Sequence, residues 1–296
     1  MFEEKISKAY SSLKSCVLCP RKCGVDRLCG ETGTCKTTKR AWVSSYNPHF
    51  GEEEPLVGTH GSGTIFFTHC NLLCIFCQNF DISHQSNGRE ISEDELAGLM
   101  LALQNQGCHN INFVTPSHVV PQILSAVEIA VQRGLSIPLV FNTGGYDRIA
   151  TLKLMDGVID IYMPDFKFWD SHVAEMTCQA ADYPKVAQKA LIEMYRQVGD
   201  LQVDDAGIAR RGLLIRHLVL PDGLAGTREI MRFIAQHISP DSYVNIMAQY
   251  RPCGRAAEVK GLNSHLLTKE YHLALKAAKR EGITRLDQPR RMFRFR

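Results

Sequence analysis

Six short apolar runs, rich in β-branched and aromatic residues, alternate with six helical patterns, and this alternation restricts the fold more than any other feature of the chain. The strand candidates are 64–68, 110–114, 138–141, 158–163, 212–220 and 242–248. The helix candidates are 92–106, 119–133, 146–155, 183–198, 227–237 and 268–281. Ser92 and Glu95 have the capping-box spacing that starts a helix. Gly107, Gly134, Gly199 and Gly282 stand where helices are expected to stop. Parallel neighbours need a crossover connection, so repeated βα units imply a parallel sheet. Six units are too few for a complete eight-stranded barrel, and the count fits either an open doubly wound sheet or a partial barrel.

A chain of 296 residues can bury one large core, or a core with a small satellite module. With 45% hydrophobic and 22% charged residues it has the composition of a soluble globular protein. A formal charge of +3 is too small to argue for a nucleic-acid partner. The first fourteen residues mix acids and lysines with spaced apolar positions, which reads as an amphipathic helix and not a signal peptide. No apolar run approaches the roughly 20 residues that span a bilayer. The expected location is the cytoplasm, with no membrane and no nucleic acid. In that reducing compartment, 11 cysteines point to metal ligation over disulfides.

Cys70, Cys74 and Cys77 form a C-x3-C-x2-C triplet directly after the first strand candidate. A cubane iron-sulfur cluster has four irons, so three thiolates leave one iron free to bind an exogenous molecule. The plainer readings are three packed thiols, or a zinc site with its fourth ligand elsewhere. A second group, Cys16, Cys19, Cys23 and Cys35, lies in a turn-rich stretch with Gly30 and Gly33. Its four thiolates can enclose zinc or a second iron-sulfur cluster without an open position, and Cys29 is spare.

The triplet, with Phe76 before its last cysteine, resembles the radical S-adenosylmethionine (SAM) superfamily. That resemblance implies a [4Fe-4S] cluster whose open iron binds SAM and whose electron releases a 5′-deoxyadenosyl radical that abstracts hydrogen. It also selects the fold class: α/β, a partial (β/α)6 TIM-like barrel of the radical SAM type with a small N-terminal Cys-rich module. The expected divisions are 1–57 for the N-terminal helix and Cys-rich module, 58–254 for the barrel, and 255–296 for a C-terminal helix and basic tail packed on it.

Site residues are then expected at the carboxyl ends of the strands. Phe76 is expected to flank the adenine, or else to close the loop as a core ring. Where the superfamily often has a Gly-Gly-Glu run, this chain has Thr115 and Ser117, which can hydrogen-bond but supply no carboxylate; Ser117 serves equally as a helix cap. Asn142 and Thr143 match an Asp-Thr-Asn-Gly-like run of glycyl-radical-enzyme activases, and a simple strand-to-helix turn also explains Gly144 and Gly145. Asp165-Phe166-Lys167 resembles the Asp-Leu-Lys of pyruvate formate-lyase type activases, which implies recognition of SAM by Asp165 and Lys167; a surface ion pair is the other reading. Arg216, inside an apolar strand, needs a carboxylate partner, and the SAM carboxylate is the one implied, while His217 points the other way and packs. Cys253 reads as a radical relay, an extra ligand or an inert thiol.

The run Cys-x-Leu-Cys-Pro-Arg-x-Cys ahead of the triplet resembles pyruvate formate-lyase activating enzyme-related proteins. Many activases lack such a module. The implied function is SAM cleavage followed by hydrogen abstraction from a substrate, such as a glycine of a partner enzyme. The implied partners are a protein substrate and a flavodoxin or ferredoxin reductant, for which the basic run 289–296 offers a docking segment or simply a solvated tail. Two other readings are a radical SAM enzyme acting on a small molecule or peptide, and a non-catalytic iron-sulfur electron carrier.

Overall fold

A computed structural model describes residues 2–287 of the chain. The basic run 289–296 lies outside the described residues. The strands are β1 Ala41–His49, β2 Ser62–Phe67, β3 Arg89–Ile91, β4 Ile111–Val114, β5 Leu139–Thr143, β6 Ile161–Pro164, β7 Gln202–Val203, β8 Ala209–Leu218 and β9 Tyr243–Met247. The helices are α1 Phe2–Ser11, α2 Glu54–Val57, α3 Phe80–His84, α4 Glu93–Asn105, α5 Val120–Gln132, α6 Ile149–Met155, α7 Ser171–Cys178, α8 Tyr183–Val198, α9 Thr227–Phe233 and α10 Thr268–Arg280.

The six anticipated strands run parallel in the order β2-β4-β5-β6-β8-β9. Helices α4, α5, α6 and α8 follow β3, β4, β5 and β6 as crossovers, and α9 joins β8 to β9. β9 pairs with β8 on one side and, through Val244, bridges to Leu286 on the other. The barrel is thus partial.

β1 extends the sheet beyond β2 as an antiparallel strand, and β3 pairs antiparallel with its start. The sequence gives little sign of β1, because Ser44, Ser45, Asn47 and Pro48 interrupt any alternation. Pro48 faces Gly63 of β2 at a stretch of β1 that β3 does not reach, so its missing N–H costs no ladder bond. The short helix α7 and the two-residue β7 were likewise not apparent from sequence pattern.

Alternation along the strands sorts the interior. Val140, Ile161, Met163 and Leu214 form one buried cluster, joined by Leu56 of α2, which packs inside the barrel. On the opposite face Phe113, Phe141, Tyr162 and Ile215 pack beneath the helices. Two residues farther along the inner face of each strand come Asn142, Asp165 and Arg216, so the apolar floor gives way to a polar rim at the carboxyl ends.

The N-terminal segment is fastened to this barrel. Helix α1 packs against α5 and α6. Beyond it, Arg148 donates to the Val17 carbonyl at 2.5 Å and Thr151 Oγ1 to that of Leu18 at 2.5 Å. The fully buried Arg27 donates from Nη1 to His118 O at 2.9 Å. Among the described residues no helix is long and apolar enough to cross a membrane.

Candidate active site at the mouth of the barrel

A cleft of about 380 Å3 opens at the polar rim. Cys70, Cys74 and Cys77 line it from the loop after β2, together with Phe76. From later strand ends come Thr115, Asn142, Thr143, Asp165, Lys167 and Arg216. Ser117 is not part of the wall: it is buried behind Thr143, whose Oγ1 lies 3.0 Å from its own.

The cysteine loop is held in a shape its residues would not choose alone. His69 (φ 73°) and Leu73 (φ 57°), on either side of the first cysteines, both adopt left-handed backbone without being glycine. Such strain persists where surrounding contacts over-determine it. His69 has those contacts: its N–H donates to Ile82 O at 3.0 Å, and its ring nitrogens lie 3.3 Å from Thr37 Oγ1 and 2.9 Å from Ser86 Oγ. Asn71 Nδ2 donates to Tyr146 O at 2.8 Å. Arg21, between two cysteines of the N-terminal group, donates to Asn71 O at 2.9 Å, Leu72 O at 3.1 Å and Cys178 O at 2.6 Å, and also bonds Gln179 O. None of these clamps carries a motif.

Burial pushes the Cys70 thiol up to about 12 and raises Cys77. For Cys74 the hydrogen bond with Cys178 is the larger cause, burial the next, and the thiol stands well above the ordinary range. Metal binding to these side chains would therefore displace protons. Cys178, at the end of α7, places its Sγ 3.3 Å from Cys74 Sγ and was not foreseen from sequence. It is absent from the cleft wall. The Cys178 thiol donates to Cys74 Sγ, so it stands as a hydrogen-bonding neighbour of that cysteine.

Asp165 and Lys167 form an ion pair at 2.5 Å with side chains 20% and 18% exposed, which sets them in the cleft wall and not on the open surface. Burial works against the Lys167 charge, but Asp165 and Cys74 outweigh it and hold the ammonium firmly protonated. The Lys167 amide donates to Tyr183 Oη at 2.9 Å, fixing the end of this run.

Arg216 finds its carboxylates within the chain. It pairs with Glu53 at 2.6 Å and also with Glu52, while Asn245 Nδ2 donates to Glu53 Oε1 at 2.7 Å. Its remaining reach is toward Asn142 Oδ1, at 3.4 Å. The sequence alone did not place Glu52 and Glu53 at this site. His217, as anticipated, turns to the helix face: it is buried between Phe166 O at 2.8 Å and Thr227 Oγ1 at 2.8 Å, and burial pushes it down to about 4.

Thr143 Oγ1 donates to Asp147 at 2.6 Å, and burial raises that carboxyl to about 6. The Phe76 ring packs edge-on to Phe168 and Tyr250, with centroids 6.0 and 5.9 Å away, so its body is core while it also borders the cleft. Cys253 donates its thiol to Phe76 O at 3.0 Å and does not line the cleft.

Cys16, Cys19, Cys23 and Cys35 line a separate small cavity with Arg27 and His118. Cys29 is exposed and apart from it. Among the described residues no three Cys, His, Asp or Glu side chains are gathered tightly enough to hold a single metal ion.

No protein-family model matches the chain. The crystal structure of a radical SAM methyltransferase from Sphaerobacter thermophilus superposes with a TM-score of 0.50 at 12% identity, over 74% of this chain and 64% of that one. The chain thus spans just under two thirds of that protein, and the likeness shows the fold: a partial barrel of the radical SAM type. The uncharacterized protein MJ0674 of Methanocaldococcus jannaschii is 31% identical over 291 residues, 96% of this chain and 80% of that protein. With that identity running through nearly all of its length, the chain belongs to the family of M. jannaschii MJ0674.

Proposed function

We propose that the chain is a radical SAM enzyme. The observation that carries this reading is the presence of three cysteines on one strained, clamped loop in the wall of the same cleft as Asp165, Lys167 and Asn142. The donor set fits a [4Fe-4S] cluster with one open iron: three soft ligands border the cleft, and the nearest further thiol is engaged with Cys74 behind them. Cys70, Cys74 and Cys77 would hold this cluster, and when bound it would supply the electron for reductive cleavage of SAM.

The chain's own residues then bind and orient. Asp165 and Lys167 offer one negative and one positive group for the ammonium and carboxylate of the methionine end, or for the ribose hydroxyls. Thr115, held with φ 62° at the end of β4, and Asn142 add hydrogen-bonding groups in place of a Gly-Gly-Glu run. Thr143 keeps its hydroxyl on Asp147, so its contribution is to hold the rim. Arg216, already matched by two carboxylates, braces Asn142 and the β8 end. Phe76 closes the cleft beside the cluster loop.

Within this reading the hydrogen donor is a glycine of a partner enzyme, supported by the likeness of Asp165-Phe166-Lys167 to the activases. A flavodoxin or ferredoxin of the reducing cytoplasm would deliver the electron. Anaerobically reconstituted protein with SAM and dithionite should yield methionine and 5′-deoxyadenosine in equal amounts. Cys74→Ala should reduce the yield to background. Failure by protein with demonstrated iron and sulfide at the triplet would overturn the reading.

A further inference from the structure

Residues 50–53 carry the chain from β1, at the β2 end of the parallel sheet, to β8 and β9 at the other end, so they cross the side on which the partial barrel does not close. Both ends of this strap are fixed. His49 pairs with Ser62 of β2. The Glu53 carbonyl accepts the amides of Leu56 and Val57 at 2.9 and 3.2 Å, and Leu56 sits in the apolar cluster inside the barrel.

The two carboxylates on the strap are not equally served. Glu53 is complete: its Oε1 accepts from Arg216 Nε at 2.6 Å and Asn245 Nδ2 at 2.7 Å, and its Oε2 from Arg216 Nη2 at 3.0 Å. Glu52 shares only Arg216 Nη2, through Oε2, and among the described residues no donor meets its Oε1. Yet its side chain is only 6% exposed, and it lines the cleft. His49, on the same wall, makes no ion pair with it among the described residues. Counting Asp165 and Lys167, three carboxylates here face two cations, which leaves one negative charge without a counterpart. A desolvated carboxylate in that position is costly until a cation reaches it.

The neighbouring wall is apolar. Leu218 and Met247 lie two residues past Arg216 and Asn245 on the same inner face, and Phe66 packs against His49 at the start of the strap, with ring centroids 6.0 Å apart. An acid backed by such side chains suits a cation on a hydrocarbon stem, whose methylenes pack while the charged head pairs. We propose that Glu52 forms a cation subsite on the open side of the cleft, and that the hydrogen donor presents an ammonium or guanidinium to it, borne by a lysine or arginine side chain or by an alkylamine. This rests on the radical SAM reading of the cleft and names what the substrate must carry.

The probes are n-butylammonium, n-butanol and butyrate, which share one stem and differ in charge, with N-acetyl-lysyl-glycinamide as a peptide-borne amine. They are titrated into the reconstituted full-length protein without reductant and followed by ligand-observed NMR. Butylammonium should bind about tenfold tighter than butanol, the worth of one charge-assisted hydrogen bond, and butyrate should bind weakest. Glu52→Gln keeps the shape, removes the charge and should erase the preference. Equal binding of butylammonium and butanol, or a preference that Glu52→Gln leaves intact, would overturn the proposal. Saturating SAM should leave butylammonium bound; full competition would assign Glu52 to SAM and overturn the proposal as well. Should Glu52→Gln fail to fold, hydrogen exchange in wild type decides: butylammonium should slow the amides of 50–54 and butanol should not, and equal exchange with both would refute the subsite. The dipeptide tells the sources apart: tighter binding than butylammonium assigns the cation to a protein substrate and weaker binding to a free amine, and both uphold the subsite. Every reading is an equilibrium taken without SAM cleavage, so its failure is distinct from failure of the proposed function.

Discussion

At the scale of single residues, Asp147 and Cys178 make opposite points about burial. Asp147 has only hydroxyl partners, and desolvation lifts its carboxyl from 3.8 to about 6. In the unfolded chain it ionises near the lower value. As pH rises between the two, the unfolded state gives up a proton that the folded state keeps, so folding stability falls over that window and is level above it. Asp147→Asn removes the penalty: relative to wild type, the variant should gain about 3 kcal/mol between pH 4 and 6, read from urea midpoints. Equal slopes for the two proteins would contradict the burial argument. Cys178 instead contributes a weak donor to Cys74. Hydrogen bonds to cluster sulfurs favour the reduced, more negative state. Cys178→Ala should therefore lower the midpoint potential of the triplet cluster on the order of 40 mV, the one-electron equivalent of a bond worth about 1 kcal/mol. An unchanged or raised potential would exclude that role.

At the scale of elements, what was legible in the sequence is what repeats. The parallel strands and their crossover helices follow from periodic burial. Ser92 caps α4 through both halves of the Ser92–Glu95 box. Asp165 and Lys167 fell on the cleft side because inner and outer positions alternate. The unforeseen parts are one-off contacts between distant segments: β1 at the sheet edge, Glu52 and Glu53 entering the barrel to meet Arg216, and Arg21 reaching across to the triplet loop. Nothing local marks such contacts, since each depends on the fold already being formed. Arg21 offers a direct test of the clamp. Arg21→Ala leaves the carbonyls of Asn71, Leu72, Cys178 and Gln179 without their charged donor and should cost about 2–4 kcal/mol. Hydrogen exchange should rise selectively in 69–74 while the amides of β5 and β6 keep their protection. A uniform rise would mean that the change acts on global stability alone.

At the scale of the whole molecule, the barrel, the cysteine loop and the N-terminal segment form one assembly whose cleft gathers residues from the ends of all six parallel strands. The apolar cluster of Val140, Ile161, Met163 and Leu214 fills the barrel on the side of Asn142, Asp165 and Arg216. The fold class was legible because a resemblance at eight residues joined a pattern running through the chain. What the N-terminal cysteine group holds was not, because spacing alone fits zinc and iron-sulfur equally. The central claim is that Cys70, Cys74 and Cys77 would hold a cluster with one iron left for SAM, in the cleft that Asp165 and Lys167 also line. Electron paramagnetic resonance of the dithionite-reduced protein, with and without SAM, tests it most directly. The expected result is a [4Fe-4S]+ signal whose g-values shift on adding SAM; a cluster signal indifferent to saturating SAM would contradict it.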